Sequence, residues 1–494
     1  MNGIIWLCLL VSLLLMAIRA YWAISLSEPL FVITSGAEED SLLGFWKYIK
    51  DRPVFEDPHR FPFVGSAYNW LYYAFYGTAI DITLNALLLE IEWLPTIGRF
   101  VSLAWAFAGV IAAVTFFNSF VERGSEYRPL ILPYSIFLFF GPLVGFWAIS
   151  HNVELAATVL GIIGSLMFCR IYGNSPLKAT IVACVFGYLA WSFKQSHIFI
   201  VLTLALFMFI RGDWRSLALV FFLNGLGWSA AIIGGSEAYV KMLFQKGVDK
   251  TLELSRLWIN LKNFSLKSTP IIFFLTSIAI GIRDPRSFFQ KIRNDDYALF
   301  SVCGLVVSIV ISIPFSAKQG ASENYYFVMS FYMLFAAFAV NAVWPLSGTV
   351  RRAANLIILL GWFASGVAAT SVLAGYNGIV STRNWHEINI AQRDCSRDMP
   401  EPVLPVVHTF LSLPWLVKSE PQFNLFYNYS RERAAGYWFE GGGVAGLIKK
   451  GYFGSILMPA GAKPEFDSVS LITHYELRKE NCAGIDFYLK RGSG

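Results

Sequence analysis

The sequence predicts a polytopic α-helical membrane protein that ends in a small α/β domain outside the bilayer. Three observations predict it. First, 56% of the 494 residues are hydrophobic and only 15% are charged. The mean hydropathy is +0.53. That balance excludes an ordinary soluble protein. Second, long apolar runs recur along most of the chain, and the connections between them alternate in charge. Third, the character changes near Gly375, beyond which Pro400, Pro402, Pro405, Pro414 and Pro421 stand among scattered charges. Aromatics reach 16%, which suits interfacial belts. The net charge of +6 reads as a topology signal. No basic run is long enough for nucleic acid, so none is expected as a partner. The six cysteines form no C-x-x-C pair, which leaves zinc and thioredoxin-like motifs unsupported.

The first run, Ile4 to Ile18, has no basic region before it and reads as a retained first helix rather than a signal peptide. Residues 27–66 are polar and proline-rich and are not expected to cross lipid. Within them Glu39 to Lys50 reads as a surface-lying helix, with Leu42, Leu43, Phe45, Trp46 and Ile49 as its apolar side. Lys47, Lys50 and Arg52 read as a solvated face meeting headgroups. Ten further runs follow: Phe100–Phe120, Leu130–Ile149, Val153–Phe168, Thr180–Phe193, Ile198–Ile210, Leu217–Ile233, Ile271–Ile282, Tyr297–Pro314, Tyr325–Val343 and Ala354–Leu373.

Basic connections at 121–128, 170–178, 211–215, 283–293 and 351–352 alternate with Ser150-His151-Asn152, Lys194-Gln195-Ser196-His197, the Ser236–Lys267 loop and Ser316–Asn324. The positive-inside rule assigns the basic set to the cytoplasm and the other set outside. Tyr68–Leu89, which holds Asn69, Asp81 and Asn85, is read by parity as a long or re-entrant element on the outer side rather than a span, because Phe100–Phe120 already supplies the odd crossing between the outer first loop and the cytoplasmic 121–128. About eleven spans result. Residues 1–375 form the membrane module, with 27–96 as its first outer loop, and 376–494 form the outer domain. In that domain Val444–Tyr452 has a helical pattern. Gly454–Pro459 reads as a strand, and Tyr475–Lys479 with Ile485–Lys490 reads as a terminal hairpin. Cys395 and Cys482 are the two cysteines away from apolar runs. An outer disulfide between them and two free thiols are the alternatives.

The unusual polar residues gather at one end. The outer set is Glu38, Glu39, Asp40, Asp81, His151, Glu154, Lys194, His197, Lys318, Glu323 and Asn324. An ionised side chain at mid-bilayer costs roughly 2.5–3.5 kcal/mol on insertion scales, so such groups at helix ends line a cavity. Blander readings compete. Glu38-Glu39-Asp40 fit a helix N-terminus capped by Ser35. Lys194 and His197 fit interfacial snorkelling, and His151 fits a satisfied structural histidine.

Several segments resemble the GT-C membrane glycosyltransferases of the protein O-mannosyltransferase and lipid A aminoarabinose transferase type. They are the acidic Glu38-Glu39-Asp40, the Tyr-rich Tyr68-Asn69-Trp70-Leu71-Tyr72-Tyr73, Ser150-His151-Asn152-Val153-Glu154, Phe193-Lys194-Gln195-Ser196-His197 and Lys318-Gln319-Gly320-Ala321-Ser322-Glu323-Asn324-Tyr325-Tyr326. The tail around Gly436-Tyr437-Trp438 and Phe453-Gly454-Ser455-Ile456-Leu457 is similar to an extracytoplasmic domain of that type. The family often has Asp-Glu in the first loop, so the equivalent acid stays open among Glu38, Glu39 and Asp40. Its second motif usually has Asp, where Glu154 or His151 stands here.

The resemblance implies a polyprenyl-phosphate sugar donor, an acceptor hydroxyl on lipid, glycan or protein, and inversion at the anomeric carbon. It also implies a bacterial inner membrane with the site on the periplasmic side. Glu39 or Asp40 is expected as the base, with Glu38 positioning it. Lys194, His197 and Lys318 are expected at the phosphate, and Asn324 and Tyr325 at sugar or phosphate. His151 and Glu154 are expected on the acceptor or metal side. A divalent cation held by Glu38, Glu39, Asp40, His151 and Glu154 is compatible with these residue types, without a fixed-spacing motif. A flippase of a lipid-linked saccharide and a non-catalytic scaffold are the alternative functions; the lack of an internal repeat weighs against the first.

Overall fold

The computed structural model describes residues 2–25, 37–144, 150–248, 252–282, 284–318, 321–346, 348–380, 391–392, 394–396, 398–406, 429, 432–433, 436–461 and 468–492. The side chains of residues 2, 19, 22–25, 37–39, 245–248, 368–380, 468–470 and 479–480 lie outside that description.

Among the described residues, seven helices are long and apolar enough to cross a bilayer: Ile91–Asn118, Val153–Tyr172, Pro176–Phe193, Trp214–Gly234, Asp296–Ser316, Glu323–Val343 and Gly348–Val367. An eighth arises if Leu254–Lys267 and Thr269–Ile280, bent by 79° at Ser268, count as one. Shorter apolar helices at Gly3–Ile18, Arg128–Phe140 and Phe199–Arg211 fall on three more of the expected runs. The chain is a multi-pass membrane protein. Helix punctuation follows the sequence: Asp213, Asp284 and Asp295 cap helix starts with their side chains, and Gly212 ends the Phe199–Arg211 helix at φ +72°. These are residue types that satisfy orphan N–H groups or tolerate the left-handed region.

The stretch between Ser236 and Lys267, expected as a loop, contains two helices, Glu237–Val248 and Leu254–Lys267. The reason is amphipathicity. Asn260 and Phe264 are buried on one side of the second helix, while Leu254, Trp258, Ile259 and Leu266 are exposed on the other. A hydropathy window averages these two faces away.

The first loop also departs from expectation. The Ala37–Ile49 helix does exist. Its apolar side is covered by protein. Leu42, Leu43, Phe45 and Trp46 are buried in one cluster with Tyr72, Tyr73 and Tyr76 of the Trp70–Leu87 helix. Phe45 stacks on Tyr76 at 5.1 Å and meets Tyr72 at 5.1 Å. Aromatic area of this size outweighs what a 13-residue helix would gain from an interface. Lys47 is likewise buried, paired with Glu56 at 2.5 Å, not a solvated face; Lys50 and Arg52 are exposed. The Trp70–Leu87 helix is not among the membrane-crossing helices by length and composition.

The tail carries a four-stranded sheet in the order β1-β2-β4-β3. The strands are β1 (Val403–Pro405), β2 (Ser455–Pro459), β3 (Tyr475–Cys482) and β4 (Ile485–Lys490). β1 runs parallel to β2, β2 is antiparallel to β4, and β3 and β4 form the expected hairpin. The helix Gly443–Lys449 precedes β2. One face of the sheet, with Val403, Leu457, Ile485 and Phe487, joins the Leu42–Tyr76 cluster. The other face packs on Phe63. Backbone bonds tie the two: Glu440 N–H donates to His59 O at 2.9 Å, and Phe61 N–H donates to the Glu440 carboxylate at 3.2 Å. A disulfide joins Cys395 and Cys482, with Cα atoms 6.4 Å apart.

Candidate functional site

The site grows from the Val153–Tyr172 and Pro176–Phe193 helices. They are joined by a short turn, so the start of one lies beside the end of the other. Asn152 caps the first, its side-chain oxygen accepting from Glu154 N–H at 2.6 Å. Glu154 therefore occupies the first helical turn, where the dipole favours an acid. Lys194 closes the second helix, its N–H donating to Ala190 O, where the dipole favours a cation. Lys194 donates to Glu154 Oε1 in a short ion pair. Both are buried, at 9% and 3% exposure. The Asn324 amide, from a segment 170 residues away, donates to the same oxygen. The Lys194 ammonium also lies 5.0 Å from the Tyr325 ring centroid, in cation–π range.

Tyr325 stacks on Phe315 at 6.0 Å, and Lys318 lies 4.0 Å over the other ring of that pair. The two lysines thus bracket two stacked rings. Burial holds the Lys318 ammonium below its usual range. Glu323 is taken by Lys267 in a short ion pair outside this cluster. Asp81 accepts from Asn85 at 3.1 Å, within its own helix.

Asp40 is 3% exposed in the Ala37–Ile49 helix. Glu38 and Glu39 belong to the same first turn, with side chains outside the described residues, as is Ser35. Burial first, then the Glu154 and Asp40 carboxylates, push the Tyr68 phenol well above the usual value. Tyr73 is raised in the same way by burial and Asp40.

His151 is a pin. Its Nε2 lies 2.9 Å from Pro95 O, which fixes that nitrogen as the donor. Its carbonyl accepts from Tyr72 OH at 2.9 Å, and its ring meets Phe45 at 5.8 Å. It wedges into the space left by Gly98, where a Cβ would lie 2.4 Å from the ring. The structural reading of this histidine therefore fits its surroundings. His197 is 6% exposed. Burial, then the Lys194 charge beside it, push its imidazole well below the usual value.

Beside the polar cluster lies a small cavity of about 20 Å³, room for one water molecule. Ala157, Thr158 and Gly161, one and two turns past Glu154, line it together with His197, Phe199 and Val328.

Among the described residues no group of three or more His, Cys, Asp or Glu is gathered for a metal; the side chains of Glu38 and Glu39, two of the five expected ligands, lie outside that description. Lys194 and Asn324 already occupy Glu154 Oε1, and Pro95 O holds His151 Nε2.

One residue that sequence reasoning passed over positions the cluster. Asn69 caps the Trp70–Leu87 helix and donates to Trp191 O at 2.8 Å, three residues before Lys194. Tyr239 OH donates to Asn69 Oδ1 at 2.6 Å. The signal for Asn69 is its place just before an aromatic helix.

No family model matches the chain, and no curated protein matches it by sequence. Solved structures do. The crystal structure of ArnT from Cupriavidus metallidurans bound to undecaprenyl phosphate is similar over 100% of this chain and 99% of its own, at TM-score 0.59 and 12% identity. The apo state of the same protein is similar over 99% and 98%, at TM-score 0.56 and 11% identity. Across its whole length the chain shares the fold of these ArnT structures.

Proposed function

We propose that the protein is a GT-C glycosyltransferase. It moves a sugar from a polyprenyl-phosphate donor to an acceptor hydroxyl on the extracytoplasmic side. One observation carries this reading. Glu154, Lys194, Asn324 and Tyr325, from three distant segments, meet in one buried cluster. The whole-length fold match to ArnT bound to undecaprenyl phosphate supports the donor class.

The chemistry is a single displacement. The acceptor oxygen attacks the anomeric carbon as the bond from that carbon to the phosphate oxygen breaks. The acceptor proton passes to a first-loop carboxylate, Asp40 or Glu39. The leaving polyprenyl phosphate gains charge, which Lys194 and Lys318 offset. Asn324 and Tyr325 contact the sugar or phosphate, and His197, beside Lys194, faces the phosphate. Inversion follows from one displacement. Counting the bent pair and the three shorter helices as one crossing each gives eleven, a number that supports reading 376–494 and the site as lying on the same side.

The test uses purified protein in nanodiscs with a polyprenyl-phosphate sugar. Asp40→Asn and Glu39→Gln are assayed separately for sugar transfer. Loss of at least about 100-fold in one of them is expected. Full activity in both sinks the base assignment. Absence of any transfer with several donor sugars, despite binding of undecaprenyl phosphate, favours a carrier instead.

A further inference from the structure

The Leu254–Lys267 helix has two faces with different work. One face exposes Leu254, Trp258, Ile259 and Leu266. The opposite face is fastened to the segment that carries Asn324 and Tyr325. Asn260, 2% exposed, donates from one amide nitrogen to Ser316 O at 2.8 Å and to Ala321 O at 3.2 Å. Phe264 stacks on Tyr326 at 4.6 Å, and Lys267 pairs with Glu323. Just before the helix, Glu253 N–H donates to Ala317 O at 2.8 Å. Ser316 Oγ and Tyr326 OH, 2.7 Å apart, close the same segment from within.

We infer that Asn260 is a positioning residue. By holding the carbonyls of Ser316 and Ala321 together, it fixes the start of the Glu323–Val343 helix and thereby sets Asn324 on Glu154 and Tyr325 on Lys194. The physical reason is geometric. The segment leaves the Asp296–Ser316 helix and must turn back into the next helix within a few residues. Its free carbonyls are buried and need donors. A single carboxamide supplies both hydrogens, and no other residue type of that size does so. Asn260 touches neither Glu154 nor Lys194, so it acts through the loop. The inference rests on reading the Glu154 cluster as the donor site.

The experiment uses the full chain in nanodiscs and undecaprenyl phosphate as probe. Asn260→Asp keeps the shape and removes both donors. It is expected to weaken binding at least about tenfold. It is also expected to raise deuterium uptake across 321–326 while leaving the Val153–Tyr172 helix as protected as in the wild type. Unchanged affinity and unchanged uptake at 321–326 overturn the proposal, and so does equal loosening of both regions, which marks a merely structural role. If Asn260→Asp does not fold, Lys267→Met, which frees Glu323, is read by the same two measurements. If the wild type binds no undecaprenyl phosphate, the donor-site reading fails, and the uptake comparison still decides what Asn260 holds.

Discussion

Lys194 donates to Glu154 across the open end of a helical hairpin, with an acid at one helix start and a cation at its neighbour's end. Each dipole favours its own partner by about 0.3–1 kcal/mol. Desolvation opposes both, since each residue is at most 9% exposed. The pair is therefore stable as a pair and costly when halved. Lys194→Met is expected to destabilise the protein by about 3–5 kcal/mol by stranding the carboxylate. Glu154→Gln strands the ammonium in the same way. The double variant is expected to recover most of that loss while transfer stays abolished. Thermal melts of all three variants in one detergent, beside a transfer assay, check this. A double variant no more stable than the singles would mean that the pair does not act as a unit.

Gly98 makes a second expectation. Its missing Cβ leaves the room that His151 fills, because an added carbon would lie 2.4 Å from the ring. The His151 ring cannot retreat freely, being held at Pro95 O and against Phe45. Gly98→Ala is expected to cost about 1–3 kcal/mol through overpacking. It is also expected to lower transfer, because His151 is three residues from Glu154 and its carbonyl anchors Tyr72. The melting temperature and kcat/KM of Gly98→Ala against Gly109→Ala, which crowds Phe139 away from the site, separate crowding as such from crowding of the site.

The depressed imidazole of His197 makes stability depend on pH. Its value in the unfolded chain is near the ordinary 6.5 and its folded value lies well below. Above the unfolded value the ring is neutral in both states and nothing is lost. As pH falls through that value the unfolded chain takes up a proton that the fold refuses, so stability falls with acidification. The slope is up to about 1.4 kcal/mol per pH unit for one group. Melts at intervals from pH 8 to pH 5 should show this decline, and His197→Gln should flatten it. An unflattened profile would assign the decline to other groups.

Much of this is legible in the sequence. The alternation of basic and neutral connections puts Glu154, Lys194 and Asn324 at one end, and they meet there. The strand expected at Gly454–Pro459 forms as Ser455–Pro459, and the expected terminal hairpin forms beside it. What was hidden is what periodicity does not carry. Lys47 looked solvated because nothing local marks Glu56 as its partner. The Leu254–Lys267 helix was averaged away by a window that mixes its two faces. The burial and the neighbouring Lys194 charge that lower the His197 imidazole are tertiary facts that the sequence does not carry. β1 was missed because three residues with a proline gain their pairing only from β2.

The disulfide yields the last expectation. Cys395 and Cys482 are 87 residues apart in sequence, so the closed loop spans most of the tail. Both sulfur residues pack on the cluster that holds Leu42, Tyr72, Leu457 and Phe487. The bond therefore fastens the sheet at the point where it meets the first loop. In the chain-entropy account a loop of this size is worth about 2–5 kcal/mol. That contribution should fall on the tail, since the bond lies outside the helical bundle. Cys395→Ser is expected to raise deuterium uptake in β3 and β4 and to lower the melting temperature. The Val153–Tyr172 and Pro176–Phe193 hairpin should keep its protection. Adding reductant to the wild type should reproduce the variant, and adding it to the variant should change nothing. A non-reducing gel supplies the control, because the linked chain runs more compactly than the reduced one. If migration and exchange are the same with and without reductant, the two cysteines are free thiols in the purified protein.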